Sequence, residues 1–432
     1  MTRAEIEQRV LREVERARDE LVDFTRDLIR IPTVNPPGDV YRDCAEAIGA
    51  FLASNGMAVE YIEAEGRPEH TATHPRVNVV GRTEGQGGPA IHLNGHFDVV
   101  PAGDGWTVDP FGGVVRDGRI FGRGASDMKS GLAAAAVAVA ALGRAGVVTS
   151  RALEVSGTVD EESGGWAGVA HLCEMGRISA ERTAAVIIPE PFGPERICVG
   201  HKGVHWIDIT AHGEIAHGCM PYLGRSAIDD MAALLLRLET RLGPVLAARV
   251  TDLPVVPEGS RRPSLNVNSV LGGQAGEEQQ TPCVADRCVA ILDRRFIPEE
   301  SIEAVRQEIS EVIDEVSRER GGARFVVAER MTVLPVQAPV DSPLITALET
   351  AIHTVTGRTA ERVGSPGTYD QKHVARIGGL EHCVAYGPGP LEEAHQPDES
   401  CSIDDLVTSA QVMALAVLDL ADVDSDSGAR LS

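Results

Sequence analysis

The chain has 432 residues, more than one hydrophobic core serves, since single cores stop growing at roughly 250–300 residues; two domains are expected. Hydrophobic residues make up 43% and charged residues 24%, the balance of an ordinary globular chain, which excludes disorder as the main state. Acidic residues outnumber Lys and Arg by 64 to 40, for a formal net charge of −24, which argues against a nucleic-acid partner because phosphate binding needs a basic face.

The opening stretch, MTRAEIEQRVLREVERARDELVDFTRDLIRIPTV, has the spacing of a charged amphipathic helix and lacks the apolar centre of a secretory signal. No apolar run reaches the roughly 18 residues of a membrane span, so no membrane partner is expected. Short apolar runs then alternate with helical patterns. AIHLNGHFDVV and RALEVSGTV read as buried strands, and GLAAAAVAVAALGRAG as a tightly packed small-residue helix ended by glycine. This rhythm predicts an α/β fold around a largely parallel sheet covered on both faces.

From about Gly203 the order changes to strand (VHWIDITAHG), helix (SAIDDMAALLLRLETRL), two strands (SLNVNSVLGG and VADRCVAILDRRF), helix (SIEAVRQEISEVIDEVSRER) and strand (ARFVVAERM). That is βαββαβ, the split βαβ arrangement of ferredoxin-like α+β domains. After Pro335 the α/β rhythm resumes through PLITALETAIHTVTG, HCVAYGPG and IDDLVTSAQVMALAVLDLA, and DVDSDSGARLS reads as a frayed tail. The expected organisation is a discontinuous α/β domain over 1–202 and 332–432, with a smaller α+β domain inserted at 203–331. The eight cysteines are scattered without a C-x-x-C pair, as expected of reduced thiols in a cytoplasmic protein; Cys283 and Cys288 are the two close enough in sequence to pair.

Several polar residues fall at strand ends, where α/β sheets bind ligands. On an extended run over 91–100, His96 and Asp98 point to one face, and a carboxylate there can fix the imidazole tautomer and improve it as a metal ligand. Alone, H-x-D is no more than a polar strand end. Asp127 follows a glycine-rich loop and precedes a helix, which suits either an N-cap or a ligand. Asp160, Glu161 and Glu162 crowd the end of the RALEVSGTV strand, Glu190 ends VIIPEP, and His395 sits in a proline-rich loop. Two histidines and at least four acids make a mixed N/O donor set for zinc or another first-row divalent ion, and five or more such ligands suggest two ions.

Taken in order, HLNGHFDVVP, GRGASDMKSG, TVDEESGG, IIPEP, GEIAHGCMP and EEAHQPDE resemble the motifs of the co-catalytic metallopeptidase and deacylase family that includes succinyl-diaminopimelate desuccinylases, acetylornithine deacetylases, bacterial glutamate carboxypeptidases and aminoacylases. The resemblance covers nearly the whole chain. It implies an α/β metallohydrolase domain with an inserted ferredoxin-like dimerisation or lid domain. His96 and Glu190 would hold one divalent ion and Glu162 and His395 the other, with Asp127 between them. The ions would be Zn2+, or Co2+ or Mn2+. Asp98 would orient His96, and Glu161 would be the general base, moving a proton from a bridging water to the leaving nitrogen. Asp160 would serve the scaffold. His217 would be catalytic, reaching into the partner subunit of a homodimer, while Asn266 and Arg295 match positions near the substrate carboxylate or the subunit contact.

Some positions depart from the family. Ser130 stands where glycine is common and Cys219 where serine is common. GSPGTYDQKHVARIGG replaces a loop with a small residue before Asp-Gly or Asp-Ala, so Tyr369, Gln371, Lys372 and His373 are expected to give the substrate pocket a bulkier, polar wall. Arg295 is a natural carboxylate clamp but could equally pair with Asp293 or Glu299. The expected reaction is hydrolysis of an amide C–N bond in a small carboxylate-bearing N-acyl amino acid or peptide. The alternatives are hydrolysis of a non-peptide C–N bond on the same site, as in deamination or decarbamoylation, and a non-catalytic metal-binding relative. No G-x-S-x-G elbow supports a nucleophilic serine.

Overall fold

Three apolar runs of the first half, Ala90–His96, Leu153–Thr158 and Thr183–Ile188, become strands buried along their whole length. Burial on both faces is the usual setting of parallel strands, and these pair in parallel, with Ala90–His96 in the middle. The computed structural model describes residues 2–273 and 282–421. DVDSDSGARLS lies outside the described residues.

The described chain divides into two compact units, one of Met1–Val199, Ala338–Val363 and Tyr369–Ser432, the other of Gly200–Gln337 with Gly364–Thr368. In the first, the sheet runs Ala58–Glu63, Val77–Arg82, Leu153–Thr158, Ala90–His96, Thr183–Ile188, Cys383–Ala385 and Arg196–His201. It is mixed rather than largely parallel: Ala58–Glu63 with Val77–Arg82, Val77–Arg82 with Leu153–Thr158, and Cys383–Ala385 with Arg196–His201 are antiparallel. No helix crosses over between the first two strands, and a parallel pair would need such a crossover.

The small-residue helix Lys129–Arg144 is buried through most of its length and packs against Ile403–Ala421, which in turn packs against Pro343–Thr356. Gly131 explains how closely the first turn of Lys129–Arg144 can approach the sheet. A Cβ there would lie 1.9 Å from the Pro189 carbonyl oxygen, so only glycine lets the helix start touch the loop that carries Glu190.

The second unit is a four-stranded antiparallel sheet in the order Ser264–Gly273, Arg287–Phe296, Gly203–His212, Arg324–Val333. Helices Ala227–Arg237 and Ile302–Glu319 start at Ser226 and Ser301, whose hydroxyls each accept a backbone N–H at 3.2 Å. The apolar stripes of the helices meet the inward residues of Arg287–Phe296, giving a core that includes Ile209, Leu234, Leu292 and Val312. Strand order 2-3-1-4 with a βαββαβ chain is the ferredoxin-like topology. Among the described residues no helix is long and apolar enough to cross a membrane.

Candidate metal centre

His96 is the last residue of the central strand, where the chain turns away to pair Asn35 N with the Val99 carbonyl. The strand therefore stops short of Asp98, and the expected extended run to residue 100 is not formed. The His96 Nδ1 donates to the Asp98 backbone oxygen at 3.0 Å and lies 3.5 Å from the Asp98 carboxylate. That leaves Nε2 facing acids, 3.1 Å from Asp127 and 3.9 Å from Glu190.

The Asp98 side chain has a second set of partners. Its two oxygens accept the backbone N–H of Glu161 at 3.1 Å and of Glu162 at 3.2 Å, and Asn35 Nδ2 donates to it at 2.9 Å. A buried carboxylate with three donors is well satisfied, and here it fixes the turn that carries both glutamates. That turn begins with Asp160 at φ 62°, a strained conformation that aspartate tolerates better than most residues. Tyr41 and Arg76 donate to the Asp160 carboxylate at 2.9 and 2.8 Å. The three neighbouring acids thus face different partners, because Glu162 reaches His395 Nε2 at 3.1 Å and Glu161 accepts from Lys372 Nζ at 3.2 Å.

Asp127 is held from behind. Its N–H and that of Ser126 donate to one oxygen of Glu399, at 3.0 and 2.8 Å. Arg123, itself buried, pairs with Glu399 at 2.5 Å and donates to the carbonyls of Ala102, His395 and Gln396. One guanidinium thereby ties the Asp127 loop to the His395 loop. His395 Nε2 is 3.4 Å from Asp127, and His395 adopts φ 64°. The result is two overlapping clusters, His96–Asp127–Glu190 and Asp127–Glu162–His395, each with its ligand atoms within 4.8 Å of one another.

The electrostatics of this set call for positive charge. Burial, and then the neighbouring Asp127, push the Glu162 carboxyl up to about 7 and Glu190 well above the ordinary range. Burial works the same way on Asp127, but hydrogen bonds from His395 and His96 outweigh it and hold Asp127 below its usual value. In turn Asp127, followed by Glu162, raises His395 to about 10. Buried acids that lean on imidazolium protons for charge balance are a set that divalent cations would neutralise better, with nitrogen and oxygen donors suited to first-row ions.

The profile of peptidase family M20/M25/M40 matches residues 92–419, which span both ligand clusters. The chain belongs to that family. It is a hydrolase acting on C–N bonds. Among relatives of this M20 chain, the succinyl-diaminopimelate desuccinylase of Rhodospirillum centenum is 28% identical over 393 residues, covering 89% of this chain and 93% of the relative. The corresponding enzyme of Paracoccus denitrificans is 29% identical over 408 residues, 90% and 95% of the two chains. Human carnosine dipeptidase 1 shares the fold, with a TM-score of 0.75 at 19% identity over 96% of this chain and 99% of that one.

Other residues singled out in the sequence are placed differently. His217, Asn266 and Arg295 belong to the second unit. His217 is exposed and its Nδ1 accepts the Cys219 N–H at 3.2 Å. Asn266 is exposed and hydrogen-bonded to Asn268. Arg295 is not presented as a clamp, because two of its nitrogens are spent on Asp293 at 2.8 and 3.1 Å, as i,i+2 spacing on a strand allows. The polar wall expected from 369–373 is also not formed as such. Tyr369 is buried with its hydroxyl on the Cys198 carbonyl, Gln371 donates to Cys383, and His373 reaches the Gly164 carbonyl. Lys372 donates to Glu161. The supporting residues Asn35, Arg123 and Glu399 escaped sequence reasoning; Arg123 and Glu399 stand inside the motifs GRGASDMKSG and EEAHQPDE, where their charge was the one visible signal.

Proposed function

We propose that this M20 chain hydrolyses the amide C–N bond of a small, carboxylate-bearing N-acyl amino acid or dipeptide on a site for two divalent ions. The observation that carries the reading is the pair of ligand clusters sharing Asp127, with Glu161 held one residue before the ligand Glu162. His96 and Glu190 would hold one ion, Glu162 and His395 the other, and Asp127 both. When bound, such ions lower the pKa of water and polarise a carbonyl oxygen, whichever of zinc, cobalt or manganese fills the site. Glu161 is the general base: its carboxylate takes a proton from the attacking water and delivers it to the departing nitrogen. Asp98 keeps that base in place through the two backbone N–H groups and steadies His96.

The substrate class follows from the relatives, whose names are those of a desuccinylase and a dipeptidase. The chain would act as a homodimer through its second unit, with His217 serving the partner subunit's site; the exposed Val270 and Leu271 on the edge strand Ser264–Gly273 support that surface. None of the eight cysteines forms a disulfide, which fits the cytoplasm.

The test is a panel of N-succinyl, N-acetyl and N-carbamoyl amino acids and dipeptides, offered to the metal-loaded chain with carboxylic acid, amine and ammonia assayed separately. Turnover should vanish on chelation and return with zinc, cobalt or manganese. Glu161→Gln should lower kcat by about 10²–10⁴-fold with metal content unchanged. A Glu161→Gln variant at wild-type kcat refutes the base; ammonia as the main product points to a non-peptide C–N bond instead.

A further inference from the structure

The two central strands carry a polar ladder that the metal centre does not use. In the parallel register His92 stands opposite Glu154 and Asn94 opposite Ser156, so four polar side chains share one face of the strands, ahead of His96 and Thr158 at the strand ends. All four are buried. His92 Nδ1 is 2.9 Å from Glu154 Oε2, His92 Nε2 is 2.7 Å from Ser156 Oγ, and Ser156 Oγ is 2.6 Å from Asn94 Oδ1. Asn94 Nδ2 then donates to Asp370 Oδ2 at 3.3 Å. Asp370 is followed by Lys372, whose Nζ lies 3.9 Å from Asp370 Oδ1 and 3.2 Å from Glu161 Oε1.

The donors in this chain run one way. Asn94 spends its N–H on Asp370, so its oxygen takes the Ser156 proton, and the Ser156 oxygen is left to accept from His92 Nε2. At the far end His92 Nδ1 meets Glu154, which Arg82 also contacts. Valine or isoleucine at these four positions would pack the sheet at lower desolvation cost, so packing alone gives no reason for the ladder.

We propose that the ladder is a positioning device for Glu161: it fixes Asp370, Asp370 fixes the Lys372 ammonium, and that ammonium holds one Glu161 oxygen so that the other faces the reacting water. This rests on Glu161 being the general base. Ser156, Asn94 and Asp370 are positioning residues, and each acts through the next.

The experiment uses the full-length, metal-loaded chain and the panel substrate that the wild type hydrolyses fastest. Ser156→Ala removes one link and should lower kcat about 3- to 10-fold with KM unchanged. Lys372→Met should lower kcat more, and Lys372→Arg should recover most of the loss. Adding Ser156→Ala to Lys372→Met should cost nothing further, because the ladder acts only through the lysine. Wild-type kcat in Ser156→Ala, or additive losses in the double variant, overturns the proposal. Glu161→Gln run in parallel separates the two ideas. Retained activity there removes the base reading itself, as does a wild-type chain that hydrolyses no panel member, whereas an inactive Glu161→Gln beside a fully active Lys372→Met removes only the ladder's role.

Discussion

Replacing Asp98 by asparagine puts the acid turn to a direct test. Its carboxylate accepts from Glu161 N and Glu162 N, one on each oxygen, with Asn35 Nδ2 sharing the second. An amide in the same place turns one acceptor into a donor, and whichever way it flips, its NH2 meets a backbone N–H. One charge-assisted bond is lost and the other becomes neutral; at about 1.5–3 kcal/mol for a bond to a charged group, the turn loses about 2–4 kcal/mol of its hold. Expressed in the transition state, that is a fall in kcat of about 30- to 1000-fold. His96 keeps its bond to the residue 98 backbone oxygen, so the loss would come chiefly through the displaced glutamates. The assay is steady-state turnover beside metal per chain after dialysis, with Asn35→Ala as the milder control at about 10-fold. If Asp98→Asn keeps kcat within about threefold of wild type and binds metal normally, the carboxylate does not hold the turn and the reasoning fails.

Arg123→Met leaves Glu399 buried without its cation, which should cost about 3–5 kcal/mol and loosen both the Asp127 and His395 loops, seen as a lower Tm together with weaker metal retention. Gly131→Ala drives a methyl against the Pro189 carbonyl and should destabilise the chain by about 1–3 kcal/mol in urea titrations while displacing Glu190, which lowers kcat. For Glu154, burial works toward a higher value, but the His92 hydrogen bond and then Arg82 outweigh it and bring the carboxyl down to about 2 from 4.5. A depressed carboxyl contributes stability that is full above its unfolded pKa and disappears as pH falls toward 2. Wild type should therefore lose on the order of 3 kcal/mol more than Glu154→Gln between pH 6 and pH 2, as measured by denaturant unfolding.

The legible part of this chain was carried by periodicity and by residue type. Short strand-like runs announced Leu153–Thr158 and Thr183–Ile188, and the change of rhythm after Gly203 announced the ferredoxin-like unit, because both depend on local pattern. The antiparallel pairings of the sheet were hidden, since strand direction is decided by what connects the strands. The early end of Ala90–His96 was hidden too: the chain leaves the sheet to pair with residues 33–35, more than sixty positions away. Supporting residues were the least visible. Arg123 and Glu399 are 276 residues apart, as are Asn94 and Asp370, and no local pattern links such partners.

The acid run Asp160–Glu161–Glu162 shows why residue type reads so much better than partnership. Three adjacent carboxylates would repel if they faced one another, yet the left-handed residue at 160 and the tight turn after it send them apart. Arg76 with Tyr41 answers Asp160, Lys372 answers Glu161, and His395 answers Glu162. Those partners come from positions 41, 76, 372 and 395, so the sequence could announce the charges but not what neutralises them. Each partner also places its acid differently: Arg76 and Tyr41 take both oxygens of Asp160, an imidazole shared with Asp127 brings Glu162 beside that residue, and the Lys372 ammonium takes one oxygen of Glu161.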